Sequence, residues 1–93
     1  MYVYILECSD LSYYIGVSNN LERRFQEHIL GLNRNCYTFT RRPLMLVFSG
    51  IFSDPKSAIE FEKKIKGWSR VKKKALIEGK FELLPALSQS YAK

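Results

Sequence analysis

The N-terminal end of the chain constrains the fold most, because two strand-like runs flank a short turn there. The first run, MYVYILEC at residues 1–8, is rich in the aromatic and β-branched residues that favour strands. The second run, YYIGV at residues 13–17, has the same character, and the intervening SDLS is typical of turns. The sequence therefore predicts an N-terminal β-hairpin.

The middle of the chain predicts a helix and then a third strand. Ser18-Asn19-Asn20 supplies N-cap candidates for a helix over residues 21–30, and Gly31 can end that helix. After a loop over residues 32–42, the run PLMLVFSGIF predicts a strand in which Gly50 introduces a bend or bulge.

Two further helices are predicted after the third strand. Asp54 followed by Pro55 is a helix start that should lead to a helix reaching about Trp68. Ser69 can cap a basic helix that ends near Gly79. The element order ββαβαα predicts an α+β fold, with a small three-stranded, mainly antiparallel sheet flanked by helices.

The length and composition indicate one small domain. The chain has 93 residues, of which 46% are hydrophobic, enough for a single modest core. We expect one domain over residues 1–84 and a C-terminal tail over residues 85–93. No apolar run approaches the roughly 20 residues of a membrane-spanning helix, so no membrane role is expected.

The cysteine and histidine content argues against a zinc site. Cys8 and Cys36 form no CxxC pair, and the sequence contains a single histidine. The N-terminus also lacks the pattern of a secretory signal. We therefore expect a reducing cytoplasmic location.

Positive charge is concentrated late in the chain. The net charge is +6, and between residues 63 and 80 a single acidic residue, Glu78, accompanies a set of basic residues: Lys63, Lys64, Lys66, Arg70, Lys72, Lys73, Lys74 and Lys80. Such a cluster suits a polyanion, because neutralised phosphates release condensed counterions. A solvated helix face explains the same cluster, so the charge alone leaves both interpretations open.

A helical wheel separates the polar residues of the first predicted helix. At about 100° per residue, one apolar stripe should face the sheet, formed by Leu21, Phe25, Ile29 and Leu32. Arg24 and His28 fall on the same flank, roughly 95° and 55° from the centre of the stripe. Arg23 lies nearly opposite, in solvent. Arg24 and His28 therefore occupy a boundary from which they can reach a cleft.

The second predicted helix has one boundary carboxylate. Its buried face should hold Ala58, Phe61, Ile65 and Trp68. Glu62 lies roughly 70° from the centre of that face, whereas Glu60 lies about 130° away. Glu62 is thus a candidate site residue, and the alternative is a simple helical ion pair with Lys66.

Four elements of the sequence occur together in a recognisable order. They are Tyr2-Val3-Tyr4, Tyr14-Ile15-Gly16, a helix with Arg24 followed by His28, and the stretch AIEFEKKIKGWSRVKKKALI at residues 58–77. With these elements in this order, the chain closely resembles the GIY-YIG nuclease family, and in particular its small stand-alone bacterial members. The resemblance covers residues 1–84, with Tyr2 standing where the family has glycine.

The resemblance implies a metal-dependent endonuclease that hydrolyses DNA phosphodiester bonds, structure-specific in repair or recombination. Glu62 would bind one divalent metal ion, Mg²⁺ or Mn²⁺, and Arg24 would contact the scissile phosphate. Tyr4 and Tyr14 would line the site, and either could orient or deprotonate the attacking water. His28 would act as an acid/base or a phosphate contact. Two residues would shape the backbone beside the site, Gly16 and Ser18.

The resemblance also assigns a phosphate-tracking surface. Its expected members are Arg41, Arg42, Lys63, Lys66, Arg70, Lys72, Lys73 and Lys74. The expected partner is DNA, with branched and single-stranded forms among the candidates, and a protein partner could supply specificity. The alternative is a non-catalytic or partner-dependent nucleic-acid-binding module on the same fold. The oligomeric state stays open.

The shared tyrosine site carries one structural condition. Tyr4 and Tyr14 face the same side of the sheet only if the hairpin loop is odd in length or a bulge intervenes. A three-residue loop over residues 9–11 satisfies this condition. A four-residue loop over residues 9–12 would place the two tyrosines on opposite faces.

Overall fold

A computed structural model of the protein describes residues 1–79. It contains three strands and three helices: β1 (Tyr2–Glu7), β2 (Tyr13–Ser18), α1 (Leu21–Leu30), β3 (Met45–Ile51), α2 (Pro55–Lys66) and α3 (Arg70–Ile77). A 3₁₀ turn over Phe39–Arg41 lies between α1 and β3. The predicted order ββαβαα and the α+β class are confirmed. The predicted tail over residues 85–93 lies outside the described residues.

The sheet has the order β2-β1-β3, with both pairs antiparallel. In the hairpin, the Cys8 amide donates to the Ser12 carbonyl at 2.9 Å, which leaves a three-residue loop over residues 9–11. Tyr4 pairs with Gly16 across the hairpin, and Tyr14 lies two residues before Gly16 on β2. Because side chains alternate along a strand, Tyr4 and Tyr14 share one face. The structural condition for a shared site is therefore met.

The third strand carries a bulge at a position that differs from the prediction. Ile5 pairs with Phe48 while Leu6 pairs with Leu46, so Val47 is the extra residue on β3. Gly50 pairs regularly with Val3, so the bulge predicted at Gly50 is wrong. A glycine weakens a strand, but the pairing of β3 with β1 determines which residue forms the bulge.

The two faces of the sheet are covered by different helices. One face carries the apolar core, in which strand residues pack against α2 and α3: Val3, Ile5, Ile15, Ala58, Ile65 and Leu76. The opposite face carries Tyr4 and Tyr14, and α1 lies against it through His28. The tyrosines therefore lie between the sheet and α1.

The orientation of α1 differs from the helical-wheel prediction. His28 is its most deeply buried residue at 4% exposure, whereas Ile29 is 38% exposed and Leu32 is 67% exposed. The apolar stripe predicted through Ile29 and Leu32 is therefore wrong at its C-terminal end. The hydrogen bonds that join His28 to Tyr4 and to Thr38 place the polar flank of the helix inward. The Arg23 side chain is 67% exposed, as predicted.

Local capping fixes where each helix begins. Asn20 caps α1 by accepting from the Arg23 amide, and Asp54 and Ser69 cap α2 and α3 in the same way. Gly31 ends α1 in the left-handed conformation with φ 65°. These starts and the end of α1 match the prediction. Across residues 1–79, no helix has the length and apolarity needed to cross a membrane.

Candidate active site

Tyr4 and Tyr14 lie side by side on the face of the sheet that α1 covers. Their ring centroids are 6.4 Å apart at an interplanar angle of 42°. The Tyr4 side chain passes directly over Gly16, where a Cβ atom would lie 2.5 Å from the Tyr4 hydroxyl oxygen. Glycine at this position is therefore required for Tyr4 to reach across β2.

A buried hydrogen-bond chain connects Tyr4 to the loop after α1. The Tyr4 hydroxyl lies 3.1 Å from His28 Nε2, and His28 Nδ1 lies 2.8 Å from Thr38 Oγ1. Thr38 donates its hydroxyl proton to Cys36 Sγ at 3.4 Å. Thr38 must then accept from His28 Nδ1–H, so Nε2 carries a lone pair that accepts from Tyr4. The network assigns His28 as the neutral Nδ1–H tautomer.

Arg24 places a fixed cation beside the two tyrosines. It lies one helical turn before His28, and its side chain is 32% exposed. Its Nη1 donates to Glu27 Oε1 at 3.0 Å, and this hydrogen bond raises the Arg24 pKa above its usual value. Arg24 also interacts with Tyr4 and Tyr14. The guanidinium is therefore oriented, permanently charged and partly open to solvent.

Burial sets the protonation states of the aromatic groups. Burial raises the pKa of Tyr4 to about 12 against the opposing effect of Arg24, and burial likewise raises the pKa of Tyr14. Burial, together with the charge of Arg24, lowers the pKa of His28. At neutral pH both tyrosines are protonated and His28 is neutral. The imidazole is thus the base of this cluster, and Tyr4 is its hydrogen-bond donor.

The loop after α1 adds two residues to the site that the sequence analysis did not select. Thr38 is 1% exposed and holds the imidazole, and Cys36 accepts from Thr38. Burial opposes ionisation of the Cys36 thiol, but hydrogen bonds with Thr38 and Tyr14 and the charge of Arg24 outweigh it and lower its pKa. The one sequence signal is a cysteine and a threonine flanking Tyr37 in a polar loop, which is not specific.

Tyr37 extends the aromatic cluster toward solvent. Its ring stacks near Tyr14, with centroids 6.3 Å apart and planes 19° apart, and it keeps 43% exposure. Its hydroxyl donates to Ser12 Oγ at 2.9 Å. The Arg41 guanidinium lies 3.7 Å from the centroid of the Tyr37 ring. Tyr37 too lies in the loop without a specific sequence signal.

Glu62 lies on α2, apart from the hydrogen-bonded cluster of α1 and the sheet. It is 8% exposed and forms an ion pair with Lys66, so the ion pair considered from sequence is present. Lys66 and Tyr14 line a common open cleft of about 250 Å³. Glu62 does not line this cleft itself, but its ion-pair partner Lys66 does.

Glu62 is the candidate metal ligand predicted from the sequence, and it supplies a single carboxylate. Among residues 1–79, no group of three or more His, Cys, Asp or Glu side chains could hold a metal ion. Mg²⁺ binds through one or two carboxylates and keeps several waters, so a single carboxylate is a sufficient protein ligand. Lys66 competes for the same carboxylate.

The residues predicted to track phosphate divide into three groups. Four are exposed on α2 and α3 and a fifth is half-buried on α3: Lys63, Lys66, Arg70, Lys74 and, half-buried, Lys73. Lys72 is only 3% exposed, with its ammonium 4.2 Å from the centroid of the Trp68 ring, so its placement on the surface is wrong. The cation–π contact with Trp68 accounts for the inward position of the lysine.

Arg41 and Arg42 hold their own loop together. Arg41 pairs with Asp10 at 3.2 Å and donates to the Tyr37 carbonyl at 2.9 Å. Arg42 donates to the Phe39 carbonyl at 3.0 Å. Ser18 has a similar local role, since its hydroxyl accepts from the Asn20 amide and donates to the Asn20 carbonyl. It thereby joins β2 to the start of α1.

Comparison with known proteins decides the family. The family model described as the GIY-YIG catalytic domain matches residues 1–75. This chain belongs to the GIY-YIG family. The match spans the four clustered residues Tyr4, Tyr14, Arg24 and His28, and it also spans Glu62 on α2.

The GIY-YIG assignment is supported by similar proteins and by a solved structure. The UPF0213 protein SH2523 of Staphylococcus haemolyticus is 43% identical over 77 residues, covering 83% of this chain and 93% of the relative. The UPF0213 protein HQ_3675A of Haloquadratum walsbyi is also 43% identical, over 83% and 85% of the two chains. The solution NMR structure of the UPF0213 protein BH0048 from Bacillus halodurans has a TM-score of 0.55 at 39% identity, covering 83% and 81%.

The GIY-YIG match establishes a small protein with a nuclease-type domain. Its signature tyrosines, arginine and histidine are the residues that the structure brings into one contact cluster. The family assignment made from the sequence motifs is confirmed.

Proposed function

We propose that this GIY-YIG protein is a metal-dependent endonuclease that hydrolyses phosphodiester bonds in DNA. The observation that carries the proposal is the buried hydrogen bond from Tyr4 to His28 beside the Arg24 cation. This arrangement combines a base, a proton-carrying group and a fixed positive charge. Hydrolysis of a phosphodiester needs all three, because a water must lose a proton while negative charge builds on phosphate oxygens.

Arg24 is suited to bind the scissile phosphate. A guanidinium presents several donors in a planar fork that matches phosphate oxygens, and Glu27 holds it in place. Its partial exposure lets the phosphate approach from solvent. We assign Arg24 to orient the phosphate and to stabilise charge on its non-bridging oxygens.

Tyr4 and His28 are suited to take the proton of the attacking water. With a pKa raised to about 12, Tyr4 is protonated in the resting state and cannot act alone as a base. The Tyr4 proton can pass to the free Nε2 of His28 as Tyr4 accepts the proton of the water. Thr38 accepts from Nδ1–H and so holds the imidazole in the receptive tautomer.

Tyr14 and Glu62 complete the proposed site. Tyr14 lies against both Tyr4 and the His28 ring, and its ring would form one side of the phosphate-binding site. Glu62 would hold one Mg²⁺ or Mn²⁺ after Lys66 releases the carboxylate. Such an ion supplies Lewis-acid stabilisation of the phosphoryl and leaving oxygens.

The expected substrate is DNA, and we propose a role in repair or recombination on structured DNA. The exposed basic residues of α2 and α3 support a polyanionic substrate. A protein partner that positions the DNA is part of the proposal. A cytoplasmic location stays a prediction.

The experiment is a nuclease assay on fluorescent single-stranded, duplex and branched DNA, with Mg²⁺ or Mn²⁺. We expect wild-type protein to cleave at least one of these substrates, and Glu62→Gln to lose at least about 100-fold in rate. Glu60→Gln is the matched control, because Glu60 is exposed on the same helix. If wild-type protein cleaves nothing with either metal, the proposed activity is wrong.

One observation favours a second candidate, a nucleic-acid-binding module that does not cleave. The Lys66 ammonium already satisfies the Glu62 carboxylate, which is the group that a catalytic metal would need. Salt-sensitive DNA binding without turnover, unchanged in Glu62→Gln, would support this candidate over the nuclease.

A further inference from the structure

The cleft beside the proposed catalytic cluster combines aromatic walls with ammonium groups. It is open, has a volume of about 250 Å³ and is lined by Tyr13, Tyr14, Ile15, Tyr37, Lys66 and Lys73. Three tyrosines and two lysines therefore surround one space. Aromatic faces and cations are the two components by which proteins hold unpaired nucleotides, through base stacking and phosphate neutralisation.

The aromatic walls are held in place before any ligand arrives. Tyr37 is fixed by its hydrogen bond to Ser12 and by the Arg41 guanidinium over its ring. On the other wall, the Arg70 guanidinium lies 4.5 Å from the centroid of the Tyr13 ring. Preformed walls lose little side-chain entropy on binding, which favours a flat, stacked ligand.

The size of the cleft limits what can enter it. Its volume is just below the roughly 300 Å³ at which small-molecule pockets begin, so it suits one nucleotide-sized group. A base inside a duplex is paired and stacked, and extruding it into such a cleft costs free energy. An unpaired base avoids this cost.

We propose that this cleft binds one unpaired nucleotide, with its base against Tyr37 and Tyr13 and its phosphate against Lys73 and Lys66. The inference rests on the proposed function, because Tyr14 belongs to both the cleft and the catalytic cluster. It names the substrate class of that site as nucleic acid with an unpaired strand next to the scissile bond. Single-stranded DNA and RNA share the chemistry that the cleft recognises.

The test is fluorescence anisotropy in EDTA, so that binding is measured without cleavage. The probes are a fluorescein-labelled deoxythymidine oligonucleotide, a uridine oligonucleotide of equal length and a blunt DNA duplex of equal length. We expect wild-type protein to bind a single strand more tightly than the duplex. Tighter binding of a single strand than of the duplex supports nucleotide binding in the cleft. The single strand that binds more tightly identifies DNA or RNA as the source of the nucleotide.

Two variants assign binding to the cleft. Tyr37→Ala should weaken single-strand binding by between about 5-fold and 150-fold, while Tyr37→Phe, which keeps the ring, should stay within about 2-fold of wild type. Lys73→Gln should reduce the slope of log affinity against log salt by about 0.7, and its neighbour Lys74→Gln, which does not line the cleft, should weaken binding less.

The possible outcomes separate this inference from the proposed nuclease. Duplex binding as tight as single-strand binding overturns the inference, as does unchanged single-strand affinity in both Tyr37→Ala and Lys73→Gln. If circular dichroism shows that Tyr37→Ala is unfolded, unchanged single-strand affinity in Lys73→Gln alone overturns the inference. If wild type cleaves DNA but shows no preference for a single strand, nucleotide binding in the cleft is wrong and the nuclease is not affected. If a single strand binds in the cleft but is not cleaved, nucleotide binding is supported and only the nuclease is contradicted.

Discussion

The Tyr4 hydroxyl and His28 Nε2 lie 3.1 Å apart in the buried centre of the candidate site. Thr38 holds the other ring nitrogen at 2.8 Å, so the imidazole is fixed from both sides. A buried imidazole with both nitrogens satisfied is stable as well as correctly oriented. The same two hydrogen bonds therefore stabilise the buried His28 and hold it in the orientation that the proposed proton transfer needs.

Thr38→Val should damage both stability and cleavage. Valine has a similar shape but removes the hydroxyl acceptor of His28 Nδ1–H and leaves only the weak acceptor Cys36 Sγ at 3.8 Å, which costs about 1–3 kcal/mol. We expect a lower melting temperature and an altered pH profile of the cleavage rate, because the tautomer is no longer held. Thr38→Ser retains the acceptor and should restore both properties. Unchanged stability and pH profile in Thr38→Val would contradict the hydrogen-bond chain.

Gly16→Ala should disrupt the site through steric overlap. The new Cβ would lie 2.5 Å from the Tyr4 hydroxyl oxygen, so the Tyr4 side chain must move away from His28. Overpacking of this kind typically costs about 1–3 kcal/mol. Gly50→Ala is the control, since its Cβ would meet Phe48 at 3.5 Å and Phe52 at 3.8 Å, which are ordinary contacts. Denaturant unfolding of the two variants should give a much larger loss for Gly16→Ala, and equal losses would refute the predicted overlap.

His28 should make folding stability depend on pH in the acid range. Its pKa is lowered in the folded state by burial and by the charge of Arg24, so below about 6.5 the unfolded chain binds more protons than the folded one. The His28 contribution is therefore complete above about pH 6.5 and is lost as the pH falls toward the folded-state pKa. Because the sequence contains one histidine, its ring proton resonance can be titrated by NMR without overlap.

Arg24→Gln provides the check on the cause of the His28 shift. Removing the neighbouring cation should move the His28 pKa upward, toward its ordinary value. Arg23→Gln, at an exposed position one residue away, should leave the titration unchanged. A His28 pKa that is at or above 6.5 in wild type would show that the imidazole is not buried as described.

Lys66→Gln should strengthen metal binding by freeing the Glu62 carboxylate. The measurement is the rise in melting temperature with added Mn²⁺, since a ligand that binds only the folded state stabilises it in proportion to its occupancy. We expect a larger rise in Lys66→Gln than in wild type and none in Glu62→Gln. Lys64→Gln, exposed on the same helix, should behave as wild type. Equal rises in Glu62→Gln and wild type would exclude Glu62 as the ligand.

Features decided by local sequence were predictable. Asn20, Asp54 and Ser69 cap the helices as expected, because an N-cap depends on residues only a few positions away. The shared face of Tyr4 and Tyr14 depended on a loop length that the sequence left open, and the structure has the three-residue loop that it requires. The family motifs then identified residues that the fold brings together, since their spacing is tied to this topology.

Features decided by contacts between distant segments were not predictable. The bulge at Val47 depends on how β3 pairs with β1. The inward turn of His28 depends on Thr38, ten residues later in a loop without regular pattern. Lys72 carries the charge of a surface residue yet packs over Trp68. Composition and helical wheels assign faces by polarity, whereas these residues are placed by specific partners.

Single-turnover cleavage of fluorescent DNA with Mn²⁺ tests the central claim most directly, when wild type is compared with Arg24→Gln and Arg23→Gln. The two arginines are adjacent in sequence, but only Arg24 lies against the tyrosine and histidine cluster. We predict cleavage by wild type, a loss of at least about 100-fold in Arg24→Gln, and a rate within about 2-fold of wild type in Arg23→Gln. Absence of cleavage by wild type, or equal rates for the two variants, would contradict the account.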